Sequence, residues 1–296
     1  MKKRLEYIDQ IRGLAIMLVV IGHIIQFNKI QGGMKSSIFN IIYSFHMPLF
    51  FFSQEWNSIK MNDIINTITY PNLWFLKTLF EIFLFYGFFV WISSLKNKSN
   101  NILKDILIFI FISVLTIIYS LISENKNFSS LFLYTLFFYM AVFISKYSML
   151  EKLVMNKWVF ASSFILFITL IGHWKIEGTI YDDILKLIIS TFSFILFLNL
   201  TIKFKWNPFI SKQIMTFGQY SLGIYVIQFH LAKLTINSHT QIFDDINPIL
   251  LFFICLIISI PICYLSVWIS KLIELNSLLN FIFLGKKLNV KKVKLN

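Results

Sequence analysis

A series of long apolar runs, separated by short polar stretches, constrains what this chain can fold into. A membrane-spanning α-helix needs about 20 consecutive apolar residues, and most of the runs approach or exceed that length. With 57% hydrophobic residues, including 34 Phe, the chain carries more apolar surface than a soluble domain buries. These features predict an all-α fold, a polytopic transmembrane helical bundle with about 8–9 membrane segments. The runs lie near 11–27, 38–52, 73–92, 102–122, 128–144, 158–174, 184–200, 210–231 and 249–273.

The formal charge of the chain is strongly positive, +13 at neutral pH, but its distribution does not indicate nucleic-acid binding. The cations lie at the ends of apolar runs, where they act as topology signals and contact anionic lipid head groups. We therefore expect membrane lipid as a partner and no nucleic acid. Cys255 and Cys263 lie in one apolar run without metal-ligand spacing, so we expect them to pack, and we expect no bound metal.

The basic segments predict the topology, because cytoplasmic loops of membrane proteins are enriched in Lys and Arg. The basic N-terminus is accordingly expected in the cytoplasm. The second run, 38–52, is short for a span and contains Pro48. We expect it to form a broken or re-entrant segment that does not cross fully, which leaves eight crossings and both chain ends in the cytoplasm. The other expected cytoplasmic cations are Lys96, Lys98, Lys104, Lys146, Lys152, Lys157, Lys203, Lys205, Lys212 and those of the tail.

No repeat, low-complexity linker or soluble domain interrupts the series of apolar runs. We therefore expect one integral-membrane domain over residues 1–296. A cytoplasmic basic tail is expected at about 285–296.

The first apolar run carries a polar stripe from Asp9 to His23. Arg12 and His23 are eleven positions apart, about 16 Å along a helix axis and within about 20° of the same azimuth. Asp9, three residues before Arg12, lies on nearly the same face. An ionisable group deep in a membrane helix is costly, so His23 is a functional candidate. The alternative, a neutral core histidine with Arg12 as a cytoplasmic anchor, stays open on the stripe alone.

Four sequence blocks occur in a characteristic order. They are YIDQIRGLAIMLVVIGH at 7–23, SFHMPLFFF at 44–52, LWFLKTLF at 73–80 and FGQYSLGIY at 217–225. Together the blocks resemble the acyltransferase 3 family of bacterial integral-membrane O-acetyltransferases, which act on cell-surface polysaccharides. The resemblance runs from the N-terminus to about residue 230.

The resemblance implies a membrane O-acyltransferase that moves an acetyl group from acetyl-CoA to a hydroxyl of a cell-surface polysaccharide or related glycan. Arg12 and His23 match the family's Arg-to-His motif and are the expected catalytic residues. Arg12 is expected to hold a phosphate of acyl-CoA, oriented by Asp9. His23 is expected to act as general base or to accept the acetyl group itself, and both roles stay open. Acetyl-CoA is then a donor substrate, no cofactor is bound permanently, and the location is a bacterial cell membrane.

Three further residues are candidates for a supporting or second site. His46 lies beside Pro48, which frees backbone carbonyls, so a structural hydrogen bond and a cavity-lining role are equally open. Glu81 lies one turn from Lys77, which favours a structural pair over a catalytic acid. Tyr225 matches the family's final block and is a candidate to line the acceptor pocket, although packing is the commoner role of such an aromatic.

The chain departs from the family pattern in two places. Family members usually carry a basic loop and a further span after the second block, whereas this chain is shortened between residues 53 and 72. Lys60 is the cation left there and a weak further candidate for binding the donor. Gln228 stands where family members often have His. The shortening keeps two alternatives to the enzyme open, a non-catalytic relative and a polysaccharide exporter.

Overall fold

The computed structural model describes residues 6–28, 37–54, 74–94, 102–122, 128–175, 179–234, 246–276 and 279. Within these ranges the chain forms eleven helices and no strand. The helices are α1 (Glu6–Asn28), α2 (Ser37–Gln54), α3 (Trp74–Ser94), α4 (Ile102–Ile122), α5 (Phe128–Lys146), α6 (Ser148–Val154), α7 (Lys157–Leu170), α8 (Ile180–Lys203), α9 (Pro208–Gln219), α10 (Ser221–Leu234) and α11 (Pro248–Leu275).

Three helices of the described residues are long and apolar enough to cross a membrane, namely Glu6–Phe27, Tyr181–Lys203 and Pro248–Leu275. A fourth span is added if Phe132–Lys146 and Ser148–Val154, which meet at an angle of 106°, count as one broken span. The predicted all-α membrane fold is confirmed. The count of eight or nine membrane segments stays a prediction.

The helix α1 is the centre of the bundle. It packs against α2, α8, α9, α10 and α11, and the largest fully buried side chains of the core include five of its isoleucines. A helix that is apolar all round is expected to be surrounded by protein. The side chains of α1 therefore face other helices over most of its length. The five isoleucines are Ile11, Ile16, Ile21, Ile24 and Ile25.

Two glycines let α9 cross α1 at very close range. A Cβ atom added at Gly13 would lie 1.9 Å from the backbone oxygen of Ile214, and one added at Gly218 would lie 1.9 Å from the backbone oxygen of Asp9. Small residues allow membrane helices to bring their backbones this close. The apolar run at 210–231 is therefore divided between the crossing helix α9 and the separate helix α10 rather than forming one span.

The start of α1 and the end of α11 lie at the same end of the bundle. Gly218 contacts Asp9 near the start of α1. Two residues further on, the hydroxyl of Tyr220 donates to the carboxylate of Glu274 in the last turn of α11, at 3.5 Å. The first and last helices of the series therefore meet at this end, and the number of crossings between these two points stays a prediction.

Basic loops lie at this same end, which we call the basic end. Nζ of Lys203, at the end of α8, donates to the backbone oxygen of Met155 at 2.9 Å. Lys146, at the end of α5, forms a 2.6 Å ion pair with Asp105 at the start of α4. The next helix after α8 is α9, which crosses the start of α1. These contacts bring together loops that the sequence assigned to one side of the membrane, and the cytoplasmic assignment of that side stays a prediction.

The helix α2 corrects one expectation. The sequence predicts a broken segment at 38–52, but α2 continues through Pro48 over 18 residues, about 27 Å in length. Proline within a membrane helix is tolerated where another group bonds the backbone oxygen that it releases, and α8 provides that group, as described below. The failure of this segment to cross the membrane fully stays a prediction.

Some of the sequence-based expectations lie outside the described residues. These are the candidate Lys60, the shortened stretch from residue 55 onward and the basic tail at 285–296. The single domain over residues 1–296 stays a prediction.

The close crossing of α1 and α9 predicts different effects on stability for a Gly→Ala substitution at two helical glycines. Gly218→Ala places a methyl group against the backbone of α1, so we expect a loss of about 1–3 kcal/mol in the free energy of unfolding, as in other overpacked contacts. Gly87→Ala, in α3, is the matched control because nothing lies within 4 Å of its added Cβ, and it should be neutral or stabilising by up to about 1 kcal/mol. Thermal unfolding in detergent measures both, and equal melting temperatures would contradict the crossing.

Candidate active site on the central helix

His23 lies in the second half of α1 and is hydrogen-bonded to α10. Its Nδ1 accepts from the side-chain amide of Gln228, whose Nε2 lies 2.7 Å away. Because an amide N–H can only donate, a neutral His23 in this arrangement carries its proton on Nε2. The same amide nitrogen donates to the backbone oxygen of Tyr225 at 3.4 Å. Oε1 of Gln228 is buried and has no hydrogen-bond partner.

Two phenylalanines lie against the His23 ring, one from each helix. The ring centroid of His23 is 5.8 Å from that of Phe27 and 5.6 Å from that of Phe229, which it meets edge to face. Nζ of Lys233 lies 4.7 Å from the Phe229 centroid and 5.4 Å from the Phe27 centroid, within the range of cation–π attraction. His23 itself is partly exposed. The imidazole therefore has two apolar rings beside it and a cation beyond them.

The other end of the stripe is buried at the crossing of α1 and α9. Asp9 is 1% exposed and Arg12 is 6% exposed, and both interact with neighbouring groups, as buried charges must. Between them, Nε2 of Gln10 donates to the hydroxyl of Ser211 on α9 at 2.7 Å. The structure thus places Arg12 at the basic end and His23 about 16 Å from it along the same helix.

His46 on α2 is buried close to this site. Its Nδ1 donates to the backbone oxygen of Ile42 at 2.7 Å, so a neutral His46 keeps its lone pair on Nε2. Its ring centroid lies 4.5 Å from that of Tyr43. The Tyr43 ring also lies 2.7 Å from the position of a Cβ at Gly22, the neighbour of His23. Tyr43 therefore links His46 to the part of α1 that carries His23.

The backbone oxygen released by Pro48 is bonded from α8. Proline has no N–H, so the carbonyl four residues earlier, that of Ser44, loses its helical partner. The hydroxyl of Ser190 donates to this oxygen at 2.8 Å, and both serines are fully buried. His46 bonds Ile42 instead. The imidazole of His46 is therefore not the group that compensates for Pro48.

The other candidates differ in their relation to the site. Tyr225 is buried at 4% exposure, one turn before Gln228 on α10, so it packs in the core beside the site. Glu81 lies on α3, which packs mainly against α4 and α5, with Lys77 one turn away. The structure does not bring Glu81 to α1.

A cavity of about 400 Å³ lies away from the stripe, between α4, α5 and α8. Phe109, Met140, Phe143 and Leu187 are among its mainly apolar lining residues. None of the candidate residues lines it. Its lining residues include no cation.

Gln228 is the site residue that sequence reasoning missed. The sequence identifies it only as a departure from the family's usual His. A second signal was available, because a polar amide inside an apolar run of a membrane protein must find a partner. That signal predicts a contact for Gln228, but it cannot name His23, which lies 205 residues earlier in the chain.

A comparison with protein-family models identifies the family. The model of the acyltransferase 3 family, described as an acyltransferase domain, matches residues 5–53 and 55–268. Gln54 separates the two matched segments, and the match extends beyond residue 230 into α11. No curated protein and no solved structure matches the chain. The chain belongs to the acyltransferase 3 family, and it is a membrane acyltransferase by fold and family.

The contact between α2 and α8 predicts coupling between Pro48 and Ser190. Ser190→Ala leaves the buried backbone oxygen of Ser44 without a donor, which should cost about 1–3 kcal/mol of unfolding free energy. In a Pro48→Ala background the restored N–H bonds Ser44, so the same substitution should cost less. A double-mutant cycle followed by thermal unfolding measures the coupling.

The control for that cycle is Ser193→Ala, since the Ser193 hydroxyl bonds the backbone oxygen of Ser190 within its own helix. Its effect should not depend on residue 48. A cost of Ser190→Ala that is equal in both backgrounds would contradict the assignment.

Proposed function

We propose that the protein is a membrane O-acetyltransferase that moves an acetyl group from acetyl-CoA to a hydroxyl of a cell-surface polysaccharide or related glycan. It works in a bacterial cell membrane, with its N-terminus in the cytoplasm. Membership of the acyltransferase 3 family supports acyl transfer. The observation that carries the proposal is His23, a partly exposed imidazole on the central helix, bonded at Nδ1 by α10. Its Nε2, on the other edge of the ring, is the nitrogen that meets the reactants.

Arg12 holds a phosphate of the donor in this proposal. A guanidinium binds phosphate through charge-assisted hydrogen bonds in a fixed fork. Arg12 lies at the basic end, whose lysines, including Lys146 and Lys203, attract a polyanion such as acyl-CoA. The axial distance to His23, about 16 Å, is comparable to the pantetheine arm that separates the phosphates from the thioester.

The transfer step balances with His23 as general base. With the ring proton on Nδ1, and not on Nε2 where the structure places it, Nε2 takes the proton of the acceptor hydroxyl while that oxygen attacks the thioester carbonyl carbon. The tetrahedral intermediate then collapses and the carbon–sulfur bond breaks. The imidazolium returns its proton to the departing thiolate, so the products are an acetyl ester and free coenzyme A. The alternative, in which His23 carries the acetyl group, uses the same nitrogen and differs by an acetylated enzyme intermediate.

The test is transfer of radiolabelled acetyl groups from acetyl-CoA to glycan in membranes that contain the protein. His23→Ala should lower the rate by about 10²–10⁴-fold, the usual contribution of a general base. Arg12→Ala should raise the KM for acetyl-CoA. His173→Ala, an exposed histidine outside the site, is the matched control and should transfer at the wild-type rate.

Two results would contradict the proposal at different levels. Absence of transfer by the wild-type protein would rule out the enzyme hypothesis and leave the non-catalytic relative or the exporter. Undiminished transfer by the His23→Ala variant would support an enzyme but rule out a catalytic role for His23.

A further inference from the structure

We infer that Gln228 is a positioning residue. The orientation of its side-chain amide determines which nitrogen of His23 carries the proton. The inference rests on the proposed role of His23 as general base. It begins from the contact between the two side chains, 2.7 Å from Nε2 of Gln228 to Nδ1 of His23. The nitrogen that is bonded on one edge of an imidazole fixes the chemistry available on the other edge.

In the orientation that the structure shows, His23 is ready to donate and not to accept. Gln228 donates to Nδ1, so the neutral ring carries its proton on Nε2. This form offers a hydrogen bond to a reactant, such as the carbonyl oxygen of the thioester. It cannot remove a proton from a hydroxyl at Nε2.

The unpartnered oxygen of Gln228 indicates the second orientation. Oε1 is buried without a hydrogen bond, which is unfavourable for such a group. A half-turn of the planar amide exchanges the places of Oε1 and Nε2. Oε1 then accepts from Nδ1–H of His23, and Nε2 of the imidazole becomes the base.

The exchange has a cost on the other side of the amide. Nε2 of Gln228 leaves the backbone oxygen of Tyr225, to which it donates at 3.4 Å, a length at the weak limit of hydrogen bonding. One unpartnered group is exchanged for another and the short contact to His23 is kept. In the second orientation Oε1 faces the Tyr225 oxygen and Nε2 has no partner, so that orientation is favoured when Nδ1 of His23 carries a proton to donate to Oε1.

The two neutral forms of His23 interconvert through the imidazolium, without a net gain or loss of protons. The ring gains one proton from water or from the acceptor and loses another, so the neutral ring has the same number of protons before and after. In the imidazolium both nitrogens donate, and Oε1 is the atom of Gln228 that can accept from Nδ1–H. The second orientation of Gln228 therefore stabilises both the form of His23 that acts as base and the imidazolium that forms from it.

The experiment compares two substitutions of similar size, assayed per mole of folded protein. Gln228→Met removes all hydrogen bonding and should lower kcat by at least about 10-fold with little change in the KM for acetyl-CoA. Losing the group that holds a reactive imidazole tautomer costs up to about 10⁴-fold in hydrolase triads. Gln228→Glu supplies an acceptor for Nδ1–H and should recover most of the lost rate. The control is His230→Ala, at an exposed position two residues further on, and it should leave kcat unchanged.

The outcomes separate this inference from the proposed function. If Gln228→Met keeps the wild-type kcat while His23→Ala is inactive, the positioning role is overturned and the proposed function stands. A fall in kcat that Gln228→Glu does not recover also overturns it, because it then reflects structure alone.

If the wild-type protein transfers no acetyl group, the proposed function fails and nitrogen NMR of histidine-labelled protein decides the inference by itself. The signal of His23 Nδ1, identified by its loss in His23→Ala, should be that of an unprotonated acceptor in the wild type. It should move to the protonated type in Gln228→Glu. Identical Nδ1 signals in wild type, Gln228→Glu and Gln228→Met would overturn the inference.

Discussion

The backbone contact between α1 and α9 is the interaction on which the arrangement of the site depends. Gly13 and Gly218 bring the two helices so close that neither position accepts a Cβ without movement. The contact fixes α9 across the start of the central helix, and α10 begins two residues after α9 ends. From there α10 follows the remainder of α1, and this places Gln228 against His23. A contact at the basic end thereby determines which residue meets the imidazole.

The second constraint is the cost of unpaired polar groups in an apolar interior. The bundle meets it by long-range pairing. Ser190 on α8 bonds the oxygen that Pro48 releases on α2, and the amide of Asn199 bonds the backbone oxygen of Val154 at 3.0 Å. At the site Gln228 likewise bonds His23 through its nitrogen and leaves its oxygen unpartnered, as Asn199 does. The incompletely paired amide of Gln228 lies beside the His23 ring, and it is the group that we infer to change its orientation.

The sequence predicts those features that depend on residues close together in the chain. Apolar runs predict helices and a membrane fold because each helix satisfies its own backbone. The spacing of Arg12 and His23 predicts one face because both lie on one helix. The features it does not predict join distant segments. The continuity of α2 through Pro48 depends on Ser190, 146 residues after Ser44. The division of the run at 210–231 depends on α9 packing across α1, which no local pattern of apolar residues reveals.

The central claim is that the His23 end of the polar stripe faces α10, with the imidazole of His23 against Gln228. Its most direct test is cross-linking of cysteine pairs in a background with Cys255→Ala and Cys263→Ala. His23→Cys with Gln228→Cys should cross-link on oxidation or with a short thiol reagent. Leu18→Cys with Gln228→Cys, on the opposite face of α1 and more than one turn away, should not. A cross-link from position 18 and none from position 23 would place the stripe away from α10 and contradict the account.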